Sequence, residues 1–376
     1  MKMGTLAAQV AGSTVARRIG GAFKTEEERA EASRTALLDS AQKVVRTMGE
    51  MKGAAMKLGQ MLSVAPDALP REFLEELRSL QKDSPAMPYE MVAAEIEKGL
   101  SRSLVDVFRY FDPKPIGAAS IGQVHRARLF DGRDVAVKVQ YPGIAATLDS
   151  DIKNLASMIQ LGRVVADKGH LEKVIDEIRS GLLEEADYEH EAQNLRKYGR
   201  ILREHPRIVV PEVIEEASSR SVLTMSFVEG TKLDVALDAL PAAEKDRVAL
   251  DFSETIVWMF HAKQVLHADP HPGNYLYTAD DKFAFLDFGC FREFDADFTD
   301  GFLDVLVAKW KHEKARLPAI HDRLGFKAMG NAKPLDADQL HEITEIALSP
   351  FLYDREFDWG TWSPNKPMEQ FVKNNL

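Results

Sequence analysis

Two short polar stretches in the second half of the chain constrain its fold more than any other part of the sequence. The stretch HADPHPGN covers residues 267–274, and LDFG begins at Leu286. Asn274 follows Asp269 by five residues, and Asp287 follows Asn274 by thirteen. Carboxylate and amide oxygens are ligands that Mg²⁺ prefers, with phosphate and water oxygens completing its shell. The spacing therefore favours a site for magnesium and phosphate over a turn that is merely rich in proline and glycine.

The order of these residues matches the catalytic segment of kinases. There an aspartate acts as base, an asparagine five residues later binds one Mg²⁺, and the aspartate of a DFG sequence binds the metals. Asp269, Asn274 and Asp287 follow this pattern, whereas we expect His267 to serve packing and hydrogen bonding. A conventional protein kinase is excluded, because Ala268 replaces the catalytic-loop arginine and no Ala-Pro-Glu sequence follows the DFG.

A lysine on a predicted strand supplies a second kinase element. Side chains alternate along a strand, so Ala136 and Lys138 share one face of residues 133–140. The ammonium can bind a phosphate group, and the small neighbouring side chain leaves space beside the strand for a flat ring. By itself, Lys138 is also typical of an edge-strand lysine that reaches solvent. About twenty residues upstream, GAASIGQV (117–124) contains small residues whose backbone amides can approach phosphates, although it is not a GxGxxG sequence.

The hydrophobic pattern divides the rest of the chain into helical and mixed segments. Residues 26–110 are predicted to be helical, because apolar positions recur at three- and four-residue steps. The dipeptide Asp131-Gly132 between two alternating runs predicts a hairpin. Helical patterns return over 171–202, and RIVVPEVIEE and SRSVLTMSFVEG are predicted strands. The chain beyond Thr231 is mostly helical, with a second predicted hairpin in NYLYTADDKFAFLDFG.

Charge and cysteine content limit the classes of function. The chain has 48 Lys and Arg against 59 Asp and Glu, a net charge of −11, which argues against a general nucleic-acid binder. The single Cys290 excludes an internal disulfide and a cysteine-based zinc site, and it fits a reducing compartment. Residues 1–25 carry four basic residues and no acid. Two hypotheses stay open for them: a loosely packed Ala/Gly helix, or a basic segment resting on an anionic membrane surface.

Six motifs occur together in one order along the chain: KLGQ (57–60), GAASIGQVHRA (117–127), VAVKVQYPG (135–143), EADYEHEAQN (185–194), HADPHPGN and LDFG. This set resembles the UbiB family of atypical kinases, also called the AarF/ADCK group, over about residues 40–300. The resemblance implies an α+β, protein-kinase-like, two-lobed fold with an N-terminal all-helical extension and a helical insert in the N-lobe. The implied divisions are a basic segment 1–25, a helical extension 26–110, an N-lobe 111–230 with an insert at about 144–172, and a C-lobe 231–376.

The resemblance also implies a role for the residues of each motif. Lys138 and Glu191 would form the ion pair that holds the α- and β-phosphates, and Asp269 would occupy the catalytic-base position. Asn274 and Asp287 would bind Mg²⁺. The implied nucleotide-contacting residues are Gly117, Ala118, Ala119, Ser120, Val124, Ala136, Lys138, Met225 and Val228.

Four further residues would form a regulatory lid. Lys57 and Gln60 would be the family's KxGQ signature on an extension helix over the active site, and Glu185 and Asp187 would be the ExD pair that meets it. One position departs from the family pattern, because its alanine-rich loop commonly starts with three alanines and here begins at Gly117. Glycine permits a closer approach of the backbone, so the preference between ATP and ADP stays open.

Three functions are compatible with these motifs. The first is a Mg²⁺-dependent atypical kinase or ATPase of the UbiB type that supports ubiquinone biosynthesis, with lipids, quinone precursors or a quinone-biosynthesis complex as partners. The second is a small-molecule kinase similar to aminoglycoside or choline phosphotransferases, against which KLGQ and EADYEHEAQN argue. The third is a non-catalytic ATP-dependent scaffold, which the sequence does not separate from the first. We expect a bacterial cytoplasmic protein bound peripherally to the inner membrane, since residues 1–56 leave little room for a mitochondrial targeting segment.

Overall fold

The computed structural model describes residues 87–119, 121–144, 152, 176, 179–326, 333–353, 355–358 and 361–375. The described residues form two compact units, one made of those up to residue 236 with 271–290 and one made of 237–270 with those from 291 onward. The segment 271–290, which contains the whole of the second predicted hairpin, therefore belongs to the unit that also contains Lys138. The four-part division predicted from the sequence stays a prediction.

The first unit begins, in its described part, with two helices. Helix α1 spans Tyr89–Leu100 and buries Val92 and Ile96, which lie four residues apart on one side of the helix. It ends where Ser101 adopts a left-handed conformation. A short helix α2, Leu104–Val107, leads directly into strand β1.

A four-stranded antiparallel sheet follows, in the order β1-β2-β3-β5. Its strands are β1 (Phe108–Ala119), β2 (Gly122–Leu129), β3 (Asp134–Gln140) and β5 (Val222–Ser226). The predicted Asp131-Gly132 turn joins β2 and β3, and Gly132 has a φ of 93°, a conformation that glycine adopts without strain. The helical extension was predicted to reach residue 110, but β1 already starts at Phe108, which pairs with Leu129 of β2. Strand pairing thus overrides the local helical pattern at this boundary.

A second sheet of the same unit has the order β4-β9-β8-β6. Its strands are β4 (Ile208–Val209), β6 (Thr231–Lys232), β8 (Tyr275–Tyr277) and β9 (Phe283–Phe285). Strands β8 and β9 form the second predicted hairpin, with Tyr275 opposite Phe285. The strand predicted over RIVVPEVIEE is confined to two residues, since Pro211 cannot donate a ladder hydrogen bond and a 3₁₀ turn follows at Glu215–Ala217.

The helix predicted over residues 171–202 is interrupted. Residues 179–185 are helical, the chain turns at 186–187, and helix α3 then spans Tyr188–Leu202. The interruption has a local cause, because the Asp187 carboxylate accepts hydrogen bonds from the backbone N–H groups of Glu189 and His190. A side chain that satisfies these first amides caps a new helix.

The second unit is mainly helical. Its helices are α5 (Ala242–Lys263), α6 (Ala296–Trp310), α7 (Leu317–Arg323), α8 (Ala337–Leu352) and α9 (Asn365–Asn375), and α4 (Leu233–Ala239) contains the boundary with the first unit. Strands β7 (Val265–His267) and β10 (Phe291–Glu293) pair in antiparallel fashion. The core of α6, α7 and α8 contains Val305, Ala308, Leu317, Ile320, Leu324 and Leu340. Within the described residues, no helix combines the length and apolar character needed to cross a membrane.

Two glycines, Gly117 in β1 and Gly122 at the start of β2, differ in what surrounds them, and this difference is testable. A Cβ on Gly122 would lie 2.2 Å from the Val139 carbonyl oxygen, whereas a Cβ on Gly117 would meet no atom within 4 Å. We expect Gly122→Ala to lower the free energy of unfolding by about 1–3 kcal/mol, because overpacking forces the backbone to move. Gly117→Ala, the matched control, should stay within about 1 kcal/mol of the wild type. Urea unfolding followed by circular dichroism measures both, and equal effects would contradict the packing described for β2 and β3.

Candidate nucleotide-binding site

One face of the first sheet gathers most of the predicted nucleotide-contacting residues. Residues directly opposite each other in antiparallel strands project to the same side. Val124, Lys138 and Leu223 form one row across β2, β3 and β5. Ala136 and Met225 lie in the next row, and Gly117 lies opposite Val124. The predicted residues on this face are Gly117, Ala119, Val124, Ala136, Lys138 and Met225.

Two predicted contacts, Ala118 and Val228, are placed differently, and a third is not described. Ala118 lies opposite Gln123 and therefore projects to the other face of the sheet. Val228 lies two residues beyond β5 and lines an open cavity of about 920 Å³, which also contacts Val210 and Tyr277. Ser120 lies outside the described residues.

A buried ion pair occupies the centre of this face. The Lys138 ammonium nitrogen lies 2.8 Å from both carboxylate oxygens of Glu191 and 3.2 Å from Oδ2 of Asp287. The side chains of Lys138 and Glu191 are 6% and 2% exposed, and that of Asp287 is 26% exposed. Asp287 is thus the member of the cluster that keeps access to solvent.

Hydrogen bonds to the sheet fix the helix that carries Glu191. The Gln140 side chain at the end of β3 donates to the Ala186 carbonyl oxygen at 2.8 Å. The Tyr188 backbone N–H donates to the Arg220 carbonyl oxygen at 3.1 Å. Glu191 follows within the first turn of α3, so these anchors set the position of its carboxylate beside β3.

The predicted metal ligands lie at the open end of the β8-β9 hairpin. The Leu286 backbone N–H donates to the Asn274 carbonyl oxygen at 3.0 Å, which extends the ladder by one pair and places Asn274 close to Asp287. The Gly289 backbone N–H donates to Asp287 Oδ1 at 2.9 Å and orients its carboxylate. Asn194 of α3 donates to the Phe288 carbonyl oxygen at 3.0 Å, which connects this segment to the helix that carries Glu191.

The catalytic-base candidate and its neighbouring histidine belong to the second unit. Asp269 follows β7 and is half-buried. His267 is buried in β7, and its ring stacks on Phe291 of β10 with 5.0 Å between ring centroids. This environment is consistent with the packing role predicted for His267.

Burial and neighbouring charges shift the pKa values of Glu191 and Lys138. Burial raises the pKa of Glu191 to about 7, although the Lys138 ammonium opposes this shift. Burial alone would lower the pKa of Lys138, but the carboxylates of Asp287 and Glu191 outweigh it and raise that pKa well above its ordinary value. The charges of Asp287 and Glu185 also raise the pKa of Glu191. The Glu191 and Asp287 carboxylates therefore act on one ammonium, with Glu185 close enough to Glu191 to raise its pKa, so the cluster has more carboxylates than cations.

This donor set fits Mg²⁺ that is bound together with nucleotide phosphates. The described residues contain no cluster of three or more His, Cys, Asp or Glu side chains that could hold a metal ion alone. Magnesium usually keeps several waters and takes only one or two protein carboxylates, with phosphates supplying further ligands. Asn274 and Asp287 can provide such a partial shell, and the excess negative charge of the cluster favours a cation.

The structure describes two of the four predicted lid residues, Glu185 and Asp187. Lys57 and Gln60 lie outside the described residues. Glu185 is half-buried and close enough to Glu191 to influence its titration. Asp187 caps α3 and also forms an ion pair with Arg220 at 3.4 Å, a structural role that the motif did not indicate.

Sequence reasoning missed two residues that support the cluster, Gln140 and Tyr188. Gln140 anchors the start of α3, as described above. The Tyr188 ring lies beneath the Lys138 ammonium, 5.0 Å from its centroid. The helical spacing of three residues between Tyr188 and Glu191 was the available signal, because residues three apart share one side of a helix.

The ion pair makes a quantitative prediction about stability. Lys138→Met or Glu191→Leu alone leaves a buried charge without its main partner, so each should lower the free energy of unfolding by about 3–5 kcal/mol. The double variant should lose less than the sum of the two. The exposed pair Arg133–Glu216, at 3.0 Å, is the matched control and should show negligible coupling, because solvent screens it. Additive losses at Lys138 and Glu191 in urea unfolding would contradict the pairing.

Comparisons with known proteins identify the family of the chain. The model of the ABC1 atypical kinase-like domain matches residues 79–321. The mitochondrial atypical kinase coq-8 of Caenorhabditis elegans is 33% identical over 293 residues, which are 76% of this chain and 39% of that protein. The mitochondrial atypical kinase COQ8B of Danio rerio is 30% identical over 346 residues, 90% of this chain and 55% of that protein. The chain thus spans only about two to three fifths of the length of these relatives.

A solved structure gives the same result for the fold. It is described as the complex of Rv3197 with erythromycin from Mycobacterium tuberculosis, and it is 26% identical with a TM-score of 0.60. The similarity covers 93% of this chain and 86% of that one. The predicted α+β kinase-like fold is therefore confirmed. The motifs, the domain match and these relatives together show that the chain belongs to the ABC1 atypical kinase-like family, the UbiB or AarF group.

Proposed function

We propose that the protein is a Mg²⁺-dependent, ATP-binding atypical kinase or ATPase of the UbiB type that supports isoprenoid quinone biosynthesis. The observation that carries this proposal is the buried Lys138–Glu191 pair with Asp287 beside it. A lysine held by a helix glutamate and lying next to a DFG aspartate is the arrangement that positions nucleotide phosphates in kinases.

Each residue of the cluster has a specific task in this proposal. Lys138 offers its ammonium to the α- and β-phosphates, while Glu191 holds it in place from α3. Asp287, the more exposed carboxylate, and Asn274 hold Mg²⁺, which when bound neutralises phosphate charge. The small side chain of Ala136 leaves room on the sheet for the nucleotide base. Asp269 accepts the proton of the phosphoryl acceptor.

The proposed partners lie at a membrane surface. Residues 1–25, with four basic side chains and no acid, would bind anionic lipids, and lipids or quinone precursors would be the substrates. A quinone-biosynthesis complex is the proposed protein partner. The named relatives from Caenorhabditis elegans and Danio rerio are mitochondrial. For this chain we propose a bacterial cytoplasmic location with peripheral membrane binding.

Nucleotide binding is tested most directly at Asp287. Asp287→Asn keeps the shape of the side chain but removes the charge that holds a divalent ion, so the rise in melting temperature with Mg-ATP should be lost. Ligand binding stabilises the native state by mass action, so thermal-shift titration reports affinity. Asp238→Asn, at a side chain that is 89% exposed, is the matched control and should keep the shift. EDTA should abolish the shift in the wild type. An undiminished shift in Asp287→Asn would overturn the metal assignment.

We further propose that Lys57, Gln60, Glu185 and Asp187 form a lid that excludes peptide-sized acceptors. The support for it is charge, because the cluster around Lys138 has more carboxylates than cations. A second lysine, from the KxGQ segment, would balance that excess. On the predicted Met-rich helix, the same ammonium would be costly to bury without such carboxylates. Asp187 would then serve both the lid and the cap of α3.

The lid proposal predicts a response to a substitution that conserves charge. Lys57→Arg should change the rate of ATP turnover or autophosphorylation, because a planar guanidinium does not replace a compact ammonium. The wild type should transfer negligible phosphate to generic peptides, which [γ-³²P]ATP labelling measures. Lys52→Arg, in the same predicted helix, is the control. The lid would be ruled out if the wild type phosphorylates peptides robustly and Lys57→Arg leaves ATP turnover and autophosphorylation unchanged.

A further inference from the structure

Tyr188 contacts the lysine of the proposed site from below. The Lys138 ammonium nitrogen lies 5.0 Å from the centroid of the Tyr188 ring, within the distance at which a cation is attracted to an aromatic face. Tyr188 is fully buried, and Lys138 is buried almost as completely. Desolvation strengthens such a contact, because water no longer competes for the ammonium.

The hydroxyl group of Tyr188 does not explain why a tyrosine is at this position. It is buried and has no hydrogen-bond partner among the residues that the structure describes. A buried hydroxyl without a partner destabilises a folded protein. The contribution of Tyr188 to the site therefore comes from its ring.

The surroundings of Tyr188 hold the ring in position. Its backbone N–H is bonded to the Arg220 carbonyl oxygen of the segment before β5. At the other end, a Cβ on Gly122 would lie 2.8 Å from the Tyr188 hydroxyl oxygen, so the glycine at the start of β2 makes room for it. The ring is thus fixed between the first turn of α3 and the turn that precedes β2.

We propose that Tyr188 is a positioning residue whose ring face seats the Lys138 ammonium between Glu191 and Asp287, so that it is presented to the nucleotide phosphates. This inference deepens the proposed function and rests on it for the identity of the ligand. Two carboxylates and a ring restrict the ammonium from three sides. Without the ring, water could enter beneath the ammonium and the lysine could adopt other rotamers.

A second tyrosine on the same helix provides a matched control. Tyr198 is 5% exposed, and Lys197 lies over its ring at 5.2 Å. Lys197 is exposed to solvent, so its contact with Tyr198 is weak and lies outside the cluster. Tyr198→Leu therefore removes a buried tyrosine from α3 but keeps the Tyr188 ring that contacts the Lys138 ammonium.

The first experiment does not depend on nucleotide. Pulsed acylation with acetic anhydride, quantified by mass spectrometry, measures how readily the Lys138 amine reacts. Tyr188→Leu should raise the acylation rate by roughly ten-fold, because the ring no longer shields and holds the ammonium. Tyr188→Phe should restore a rate near that of the wild type, and Tyr198→Leu should leave the Lys138 rate unchanged. Tyr188→Met, bulky but without a π system, replaces Tyr188→Leu if that variant does not fold.

The second experiment measures affinity for Mg-ADP by calorimetry. Tyr188→Leu should weaken binding by roughly ten-fold, with Tyr188→Phe restoring most of it. If Tyr188→Leu and Tyr198→Leu behave alike in acylation and in binding, Tyr188 is only a core residue and the inference is overturned. If Tyr188→Phe is as impaired as Tyr188→Leu, the hydroxyl acts and the ring does not. If neither the wild type nor Lys138→Ala binds Mg-ADP, the proposed function fails, while the acylation rates still decide the role of Tyr188.

Discussion

The burial of the Lys138 ammonium against Glu191 and Asp287 is the constraint on which the first unit depends. Removing charges from water costs several kcal/mol per ion, and their attraction compensates only when the geometry is good. The three residues lie on β3, α3 and the segment after β9. Glu191 follows Lys138 by 53 positions in the sequence, and Asp287 follows Lys138 by 149. Bringing them within hydrogen-bonding distance therefore requires that the sheet, the helix and the hairpin all be placed correctly.

Local features of each element can be understood from this requirement. Asp187 caps the N-terminus of α3. Hydrogen bonds from the Gln140 side chain and the Tyr188 backbone N–H anchor this end of the helix, and they fix the position of Glu191 beside β3. The β8-β9 ladder is extended through Asn274 and Leu286, which places Asp287 at its end. Glycine at position 122 allows β2 to approach β3 closely and leaves space for the Tyr188 ring. Each of these contacts reduces the freedom of a charged group, which is how a scaffold preorganises a binding site.

The same cluster connects structure with the proposed chemistry. One ammonium is opposed by the Glu191 and Asp287 carboxylates, with Glu185 near Glu191, and burial leaves Glu191 with a raised pKa. A cation can relieve this excess in two ways, as Mg²⁺ carried in by nucleotide or as a lysine from the KxGQ segment. If both are used, the lid and the nucleotide compete for the same electrostatic environment. This competition offers a physical reason for the restraint on phosphoryl transfer that we propose.

The sequence predicted those parts of the fold that depend on short-range patterns. Asp131-Gly132 between alternating residues specified the β2-β3 hairpin, and the β8-β9 hairpin followed from similar alternation. Where a distant partner competed with the local pattern, the prediction was wrong: β1 begins at Phe108 because Leu129 of β2 pairs with it, and Pro211 shortens β4. The interruption at residues 186–187 depended on a cap whose aspartate had been interpreted only as part of a motif.

Taken alone, the sequence predicted the chemistry of the site, since residue type and spacing indicate a magnesium and phosphate site, and the family resemblance implies the partner glutamate of the lysine. It also determined the family, because six ordered motifs are specific in combination. Only the tertiary structure decided which groups are buried together, that Ala118 projects away from the sheet face of Lys138, and that Tyr188 lies beneath the ammonium. The physical reason is that spacing reports contacts within one helix or hairpin, whereas burial and ring contacts depend on packing between segments that are distant in the chain.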